Sequence, residues 1–166
     1  MFRSLFAIFF ALVATCSSLS IAPKGEVAVG EVSLARSNNP FGTVSPVTRC
    51  GGVGTQRGLR ISECDGFCNL QPGKVYNCEN DFMPSSASPS LSLWVEICHR
   101  SVCSIIVRTE LANSSVQPGF VYTAKYDIVP NDYFSGETIE FRAYIYQTQS
   151  MLMEICVSAE IGIGIA

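Results

Sequence analysis

From Val47 onward, apolar and polar positions alternate with a period of two instead of the helical 3.6. Leu91, Leu93, Val95 and Ile97 are separated by Ser92, Trp94 and Glu96. Tyr122, Ala124, Tyr126 and Ile128 alternate with Thr123, Lys125 and Asp127, and Ile139, Phe141, Ala143 and Ile145 with Glu140, Arg142 and Tyr144. Each run predicts a strand with one wet face and one buried face. Pro84-Ser85-Ser86, Gln117-Pro118-Gly119, Val129-Pro130-Asn131-Asp132 and Ser135-Gly136 supply turns between them. No segment carries a helical stripe. About seven short strands at this spacing predict an all-β fold, an immunoglobulin-like antiparallel β-sandwich.

The N-terminal end departs from this pattern. Arg3 precedes an almost unbroken apolar run over residues 5–14, and Ser18, Ser20 and Ala22 are small residues suited to cleavage. Residues 1–20 are therefore expected to be a signal peptide, too short in its apolar part to anchor the chain. Residues 21–45, broken by Pro23, Gly25, Gly30, Asn38, Asn39, Pro40 and Gly42, read as a mobile leader with a stray strand near Val27 and Val29. Residues 46–166 form the expected sandwich domain. The whole chain's low charged fraction, 15%, against 48% hydrophobic residues implies an interior large for its length. A formal net charge of −3 without a basic block argues against nucleic acid and anionic surfaces as partners.

Several motifs in order carry a resemblance. They are Cys50-Gly51, the pair Cys64 and Cys68 with Leu70 and Pro72-Gly73-Lys74-Val75-Tyr76 after it, and Val116-Gln117-Pro118-Gly119-Phe120-Val121-Tyr122. Val129-Pro130, the Ile139–Ile145 strand and Cys156 near the end follow. Over most of residues 47–161 this order resembles the ML (lipid-recognition) family, which includes Niemann-Pick type C2 proteins and mite group 2 allergens. The resemblance implies disulfides Cys50–Cys156 and Cys64–Cys68, and sheets splayed around an apolar cavity. It also implies a third bridge before the glycine-tyrosine strand, but this sequence has Ser114-Ser115 where a Cys-Pro is expected.

Seven cysteines remain once Cys16 leaves with the signal peptide, and in an exported chain they are disulfide candidates first. A two-residue turn at Arg100-Ser101 would set Cys98 opposite Cys103 across a hairpin, close enough to bond. The same continuous register puts Ile106 beside Val95 and turns Ile105 and Val107 toward the Trp94 side. Cys78 shares parity with Tyr76 and Phe82, so it reads as an inward free thiol; pairing with Cys98 or Cys103 is the alternative.

Catalytic constellations are missing from the pattern. The only histidine, His99, falls in the expected hairpin turn, and a serine or cysteine nucleophile needs a base beside it. Cys98, His99 and Cys103 lack the second ligand cluster of a structural zinc site. Cys64-x-x-x-Cys68 is one residue too long for a redox pair, and Gly51-Gly52-Val53-Gly54 has no following lysine-serine pair. No enzyme and no cofactor is expected. Asn113-Ser114-Ser115 is an acceptor sequon, with Asn113 as the glycan site.

The expected cavity lining comes from Tyr76, Phe82, Leu91, Leu93, Val95, Tyr122, Tyr126, Ile128, Phe141 and Ile145, with the three tyrosine hydroxyls free to hold a ligand's polar end. Periodicity alone builds a solid sandwich as readily as a hollow one. Two functions fit. One is a secreted or lysosomal carrier, monomeric, that binds a sterol, fatty acid or similar lipid reversibly and hands it to a partner at a membrane. The other is a secreted interaction module whose sandwich is solid or holds lipid only structurally.

Overall fold

The computed structural model describes residues 30–35 and 41–165. The expected signal peptide lies outside the described residues, as does most of the leader.

Ten strands build two facing sheets. The first sheet runs β1 (Glu31–Leu34), β8 (Tyr122–Ile128), β5 (Tyr76–Met83), β3 (Thr55–Ile61). The second runs β2 (Thr48–Gly51), β10 (Met153–Ile163), β9 (Thr138–Gln147), β6 (Leu91–His99), β7 (Val102–Glu110), with β4 (Cys68–Leu70) lying parallel to β10. Seven of these strands have seven residues or more, and β6, β8 and β9 among them carry the alternating runs. β1, β2 and β4 are short additions. One falls in the segment read as a loose leader: β1 pairs with β8 from Glu31↔Lys125 to Leu34↔Tyr122, and Val32 is buried. That part of the leader is an edge strand, held because Val32 extends the apolar inner row.

Antiparallel register sorts side chains by face. In the first sheet, Val32, Ala124, Asn80 and Leu59 form one inner row, while Glu31, Lys125, Glu79 and Arg60 form an outer row. Arg60 bridges Glu79 at 3.0 Å and also pairs with Asp81, which accepts a further bond from Thr123 at 2.7 Å. These bonds to carboxylates raise the guanidinium's pKa against the opposing effect of burial. In the second sheet, Leu91, Leu93, Val95 and Ile97 of β6 face Gln147, Ile145, Ala143 and Phe141 of β9 on the inside. Outside, Trp94 packs against Tyr146 at 4.7 Å, with Arg108 4.2 Å above the indole.

The β6–β7 hairpin turns at Arg100 and Ser101, both with positive φ, and Cys98 bonds Cys103 across it. The continuous register expected beyond that pair does not hold. A β-bulge between Val95 and Glu96 places Val107, not Ile106, opposite Val95. The extra residue turns Val107 to the inner face and leaves Ile106 half-exposed at the edge of the interior.

Cys50–Cys156 and Cys64–Cys68 are bonded, and Cys78 is free and buried. Gly52 lets the chain after Cys50 lie directly on β10. Its φ is +93°, and a Cβ there would sit 2.4 Å from the Glu154 carbonyl oxygen. Where the resemblance implied a third disulfide, Ser114 supplies a tie of another kind. Its buried hydroxyl accepts from Leu91 N at 2.8 Å and donates to Leu111 O at 2.7 Å, pinning the β7–β8 connection to the start of β6.

Candidate functional site: an apolar cavity between the sheets

An apolar cavity of about 180 Å³ opens at one end of the sandwich. Ile97 and Ile106 come to it from the β6–β7 hairpin, and Ile128, Val129, Pro130, Asn131 and Phe134 from the end of β8 and the 3-10 turn Asp132–Phe134. Leu70 of β4, Ile139 and Phe141 of β9, and Ile161 and Ile163 of β10 close the remaining sides. Every lining side chain except that of Asn131 is hydrocarbon, so a guest would be held mainly by removal of its surface from water.

The cavity adjoins an open groove of about 660 Å³, and Ile97, Ile106 and Phe134 line both. The groove runs between the hairpin tip and the 132–137 segment. Its rim is exposed and apolar at Val102 and Tyr133. Polar bonds join its two banks: His99 Nε2 lies 3.4 Å from Glu137, and Arg100 donates to Glu137 at 3.3 Å. The His99 ring also meets Phe134 edge-on at 5.3 Å. His99 thus sits half-buried against a carboxylate and an aromatic ring. Cys98 and Cys103 spend their sulfurs on each other beside it.

The sequence-predicted lining divides in two. Ile128 and Phe141 line the cavity. Tyr76, Phe82, Leu91, Leu93, Val95, Tyr122, Tyr126 and Ile145 are all buried inward, as their parity requires, but pack into the core beyond it. Sequence reasoning missed Leu70, Ile97, Ile106, Pro130, Phe134, Ile139, Ile161 and Ile163 as wall residues. Ile97 and Ile139 stood in the alternating runs, so a signal existed for them. For Ile106 the expected register beside Val95 was a signal too, although the bulge gives it a different place from the one that register implied.

The three tyrosine hydroxyls are not equivalent either. Tyr76 accepts from Gln71 N at 2.9 Å and Tyr122 from Gln117 N at 3.0 Å, so each fastens a loop leading into its own strand. Tyr126 Oη has no hydrogen-bond partner among the described residues. Burial pushes its pKa up, with the neighbouring Cys78 adding to the shift.

Burial also raises the Cys78 thiol far above its ordinary value, which keeps it protonated and inert. Protein prepared without residues 1–20 is expected to give no reaction with Ellman's reagent at pH 8 when folded and one thiol per chain in denaturant. Reaction of the folded protein, or no thiol after denaturation, would contradict a free buried Cys78.

No family model matches the chain, and no curated protein does. Solved structures do. The crystal structure of a Niemann-Pick type C2 protein from Japanese carpenter ant superposes with a TM-score of 0.58 at 14% identity, covering 70% of this chain and 97% of that one. The likeness is one of fold. It fits the two-sheet architecture. Among the described residues, no helix is long and apolar enough to cross a membrane.

Proposed function

We propose that this protein is an exported carrier that takes an apolar molecule between its sheets and releases it unchanged. The observation that carries this reading is a cavity lined mainly by apolar side chains beside an open groove, on a fold similar to that of a Niemann-Pick type C2 protein. At about 180 Å³ the closed cavity is smaller than the 300–1,000 Å³ typical of sites for drug-sized ligands. A sterol or long acyl chain therefore enters only as the sheets part. The ten inward residues named from the sequence are then the wall of the opened state. Three disulfides and the expected signal peptide suit the extracellular space or the lysosomal lumen. Asn113, exposed with Ser115 on the β7–β8 connection, is the proposed glycan site.

The close packing of the eight remaining inward residues favours a second reading, an interaction module with a solid interior. Titration with the neutral fluorophore N-phenyl-1-naphthylamine separates the two. The carrier binds it saturably, and Ile128→Trp, which fills the cavity, weakens binding about tenfold, as does Ile97→Trp at the mouth. Circular dichroism checks that both variants remain folded. Absence of saturable binding, or unchanged binding in both variants, would remove the carrier.

A further inference from the structure

Asn80 stands where the inner row of the first sheet calls for an apolar residue. It is fully buried, shares inward parity with Cys78 and Phe82, and pairs with Leu59 on one side and Ala124 on the other. Neither its Nδ2 nor its Oδ1 has a hydrogen-bond partner among the described residues. Buried amides are nearly always paired, so each such group needs a physical account. Tyr126 Oη, on the adjacent strand, is in the same condition.

The register places both groups on a line running inward from the cavity. Along β8, Ile128 lines the cavity, Tyr126 is the next inward side chain and Ala124 the one after. Tyr126 pairs with Cys78, and Ala124 with Asn80. Each inward step spans two residues, about 7 Å, so the two polar groups belong to rows about 7 and 14 Å beyond Ile128. The opposite sheet changes in the same direction. Phe141 and Ile97 at the cavity give way to Ala143 and Val95, and the first sheet offers Cys78 and Ala124. Small side chains leave that path the least obstructed once the sheets separate.

We propose that the guest enters with an uncharged hydroxyl leading, and that Asn80 and Tyr126 hold it at the inner end. This deepens the carrier reading and rests on it. The amide both donates and accepts, as a hydroxyl does, and the phenol completes the set. A carboxylate does not fit: among the described residues no lysine or arginine is buried to receive it, and an unpaired charge in this interior is far costlier than a neutral group. The ligand class is thus an alcohol-headed lipid, and a fatty acid would have to leave its carboxylate in the groove.

The test uses the whole secreted chain and displacement of N-phenyl-1-naphthylamine by 1-dodecanol and by n-tridecane, each compared between wild type and variant. Asn80→Leu is expected to weaken 1-dodecanol about tenfold while changing tridecane less than about twofold. Tyr126→Phe, which removes a single atom, moves the alcohol the same way and carries the test if Asn80→Leu does not fold. Equal changes for both competitors, or no change in either, would overturn the assignment. If the fluorophore binds but the alcohol is indifferent to both variants, this inference fails and the carrier stands. If the fluorophore never binds, both fail together.

Discussion

Replacing Cys50 and Cys156 together by alanine is expected to lower the unfolding free energy by about 4.7 kcal/mol, the chain-entropy value for closing a loop of about a hundred residues. The bridge spans 106 residues and joins β2, a four-residue edge strand, to β10 in the middle of its sheet. Two features make the full effect plausible at this site. All three β2–β10 register pairs fall within residues 48–51 of one strand, with a bulge at Cys156/Val157, so backbone pairing alone holds the edge weakly. Released, β2 would also withdraw the Gly52–Gly54 segment whose amides bond Met153 O and Glu154 O on β10. Guanidinium denaturation of wild type and double variant measures the difference. The short Cys64–Cys68 bridge, which spans only four residues, has much less unfolded-chain entropy to remove. A loss under about 1 kcal/mol for the double variant would show that β2 is held by other means.

Glu154→Ala is expected to cost about 3–5 kcal/mol, although no surface property would mark the residue. Its side chain is fully buried next to Cys156, at the junction of β10 with the β5–β6 connection. One carboxyl oxygen accepts from Ser85 N at 2.8 Å; the other accepts from Ser85 Oγ at 3.1 Å and Gln147 Nε2 at 2.7 Å. Truncation to alanine leaves those donors facing a void. Each unsatisfied buried donor costs about 1–3 kcal/mol, and the lost volume adds to it. Glu154→Gln keeps the volume but turns an amide toward donors, so an intermediate loss of about 2 kcal/mol is expected. Urea denaturation gives both numbers. Alanine and glutamine variants of equal stability would mean that the carboxyl oxygens are not what closes this corner.

The faces of the strands were readable in the sequence because alternation in an antiparallel sheet reports which side a residue is on. Every residue of the Leu91–Ile97, Tyr122–Ile128 and Ile139–Ile145 runs assigned inward lies inward. The Cys98–Cys103 pairing was readable for a similar reason, since a two-residue turn at Arg100-Ser101 fixes the register beside it. Depth along the sandwich was not readable. Period two is the same for a residue at the cavity and for one 14 Å beyond it, so Leu93 and Phe141 look alike in sequence. Nor was the bulge at Ile106, which has no glycine to announce it and shifts one residue from wall to mouth. The parallel docking of β4 on β10, which brings Leu70 to the cavity, is a pairing between segments about ninety residues apart that no local pattern encodes. Asn80 is the instructive case. Its parity with Cys78 and Phe82 was visible, but only the folded sheet reveals that the amide meets no partner.

At the centre of this account is an interior that opens to admit a guest. A crystal structure of the protein saturated with 1-dodecanol tests it most directly. The account predicts a continuous chain of density from the groove between Ile106 and Phe134, past Ile128, to Asn80, with the two sheets farther apart than in the closed form. Density confined to the outer groove, with Tyr126, Val95 and Ala143 packed as before and the sheets unmoved, would contradict it.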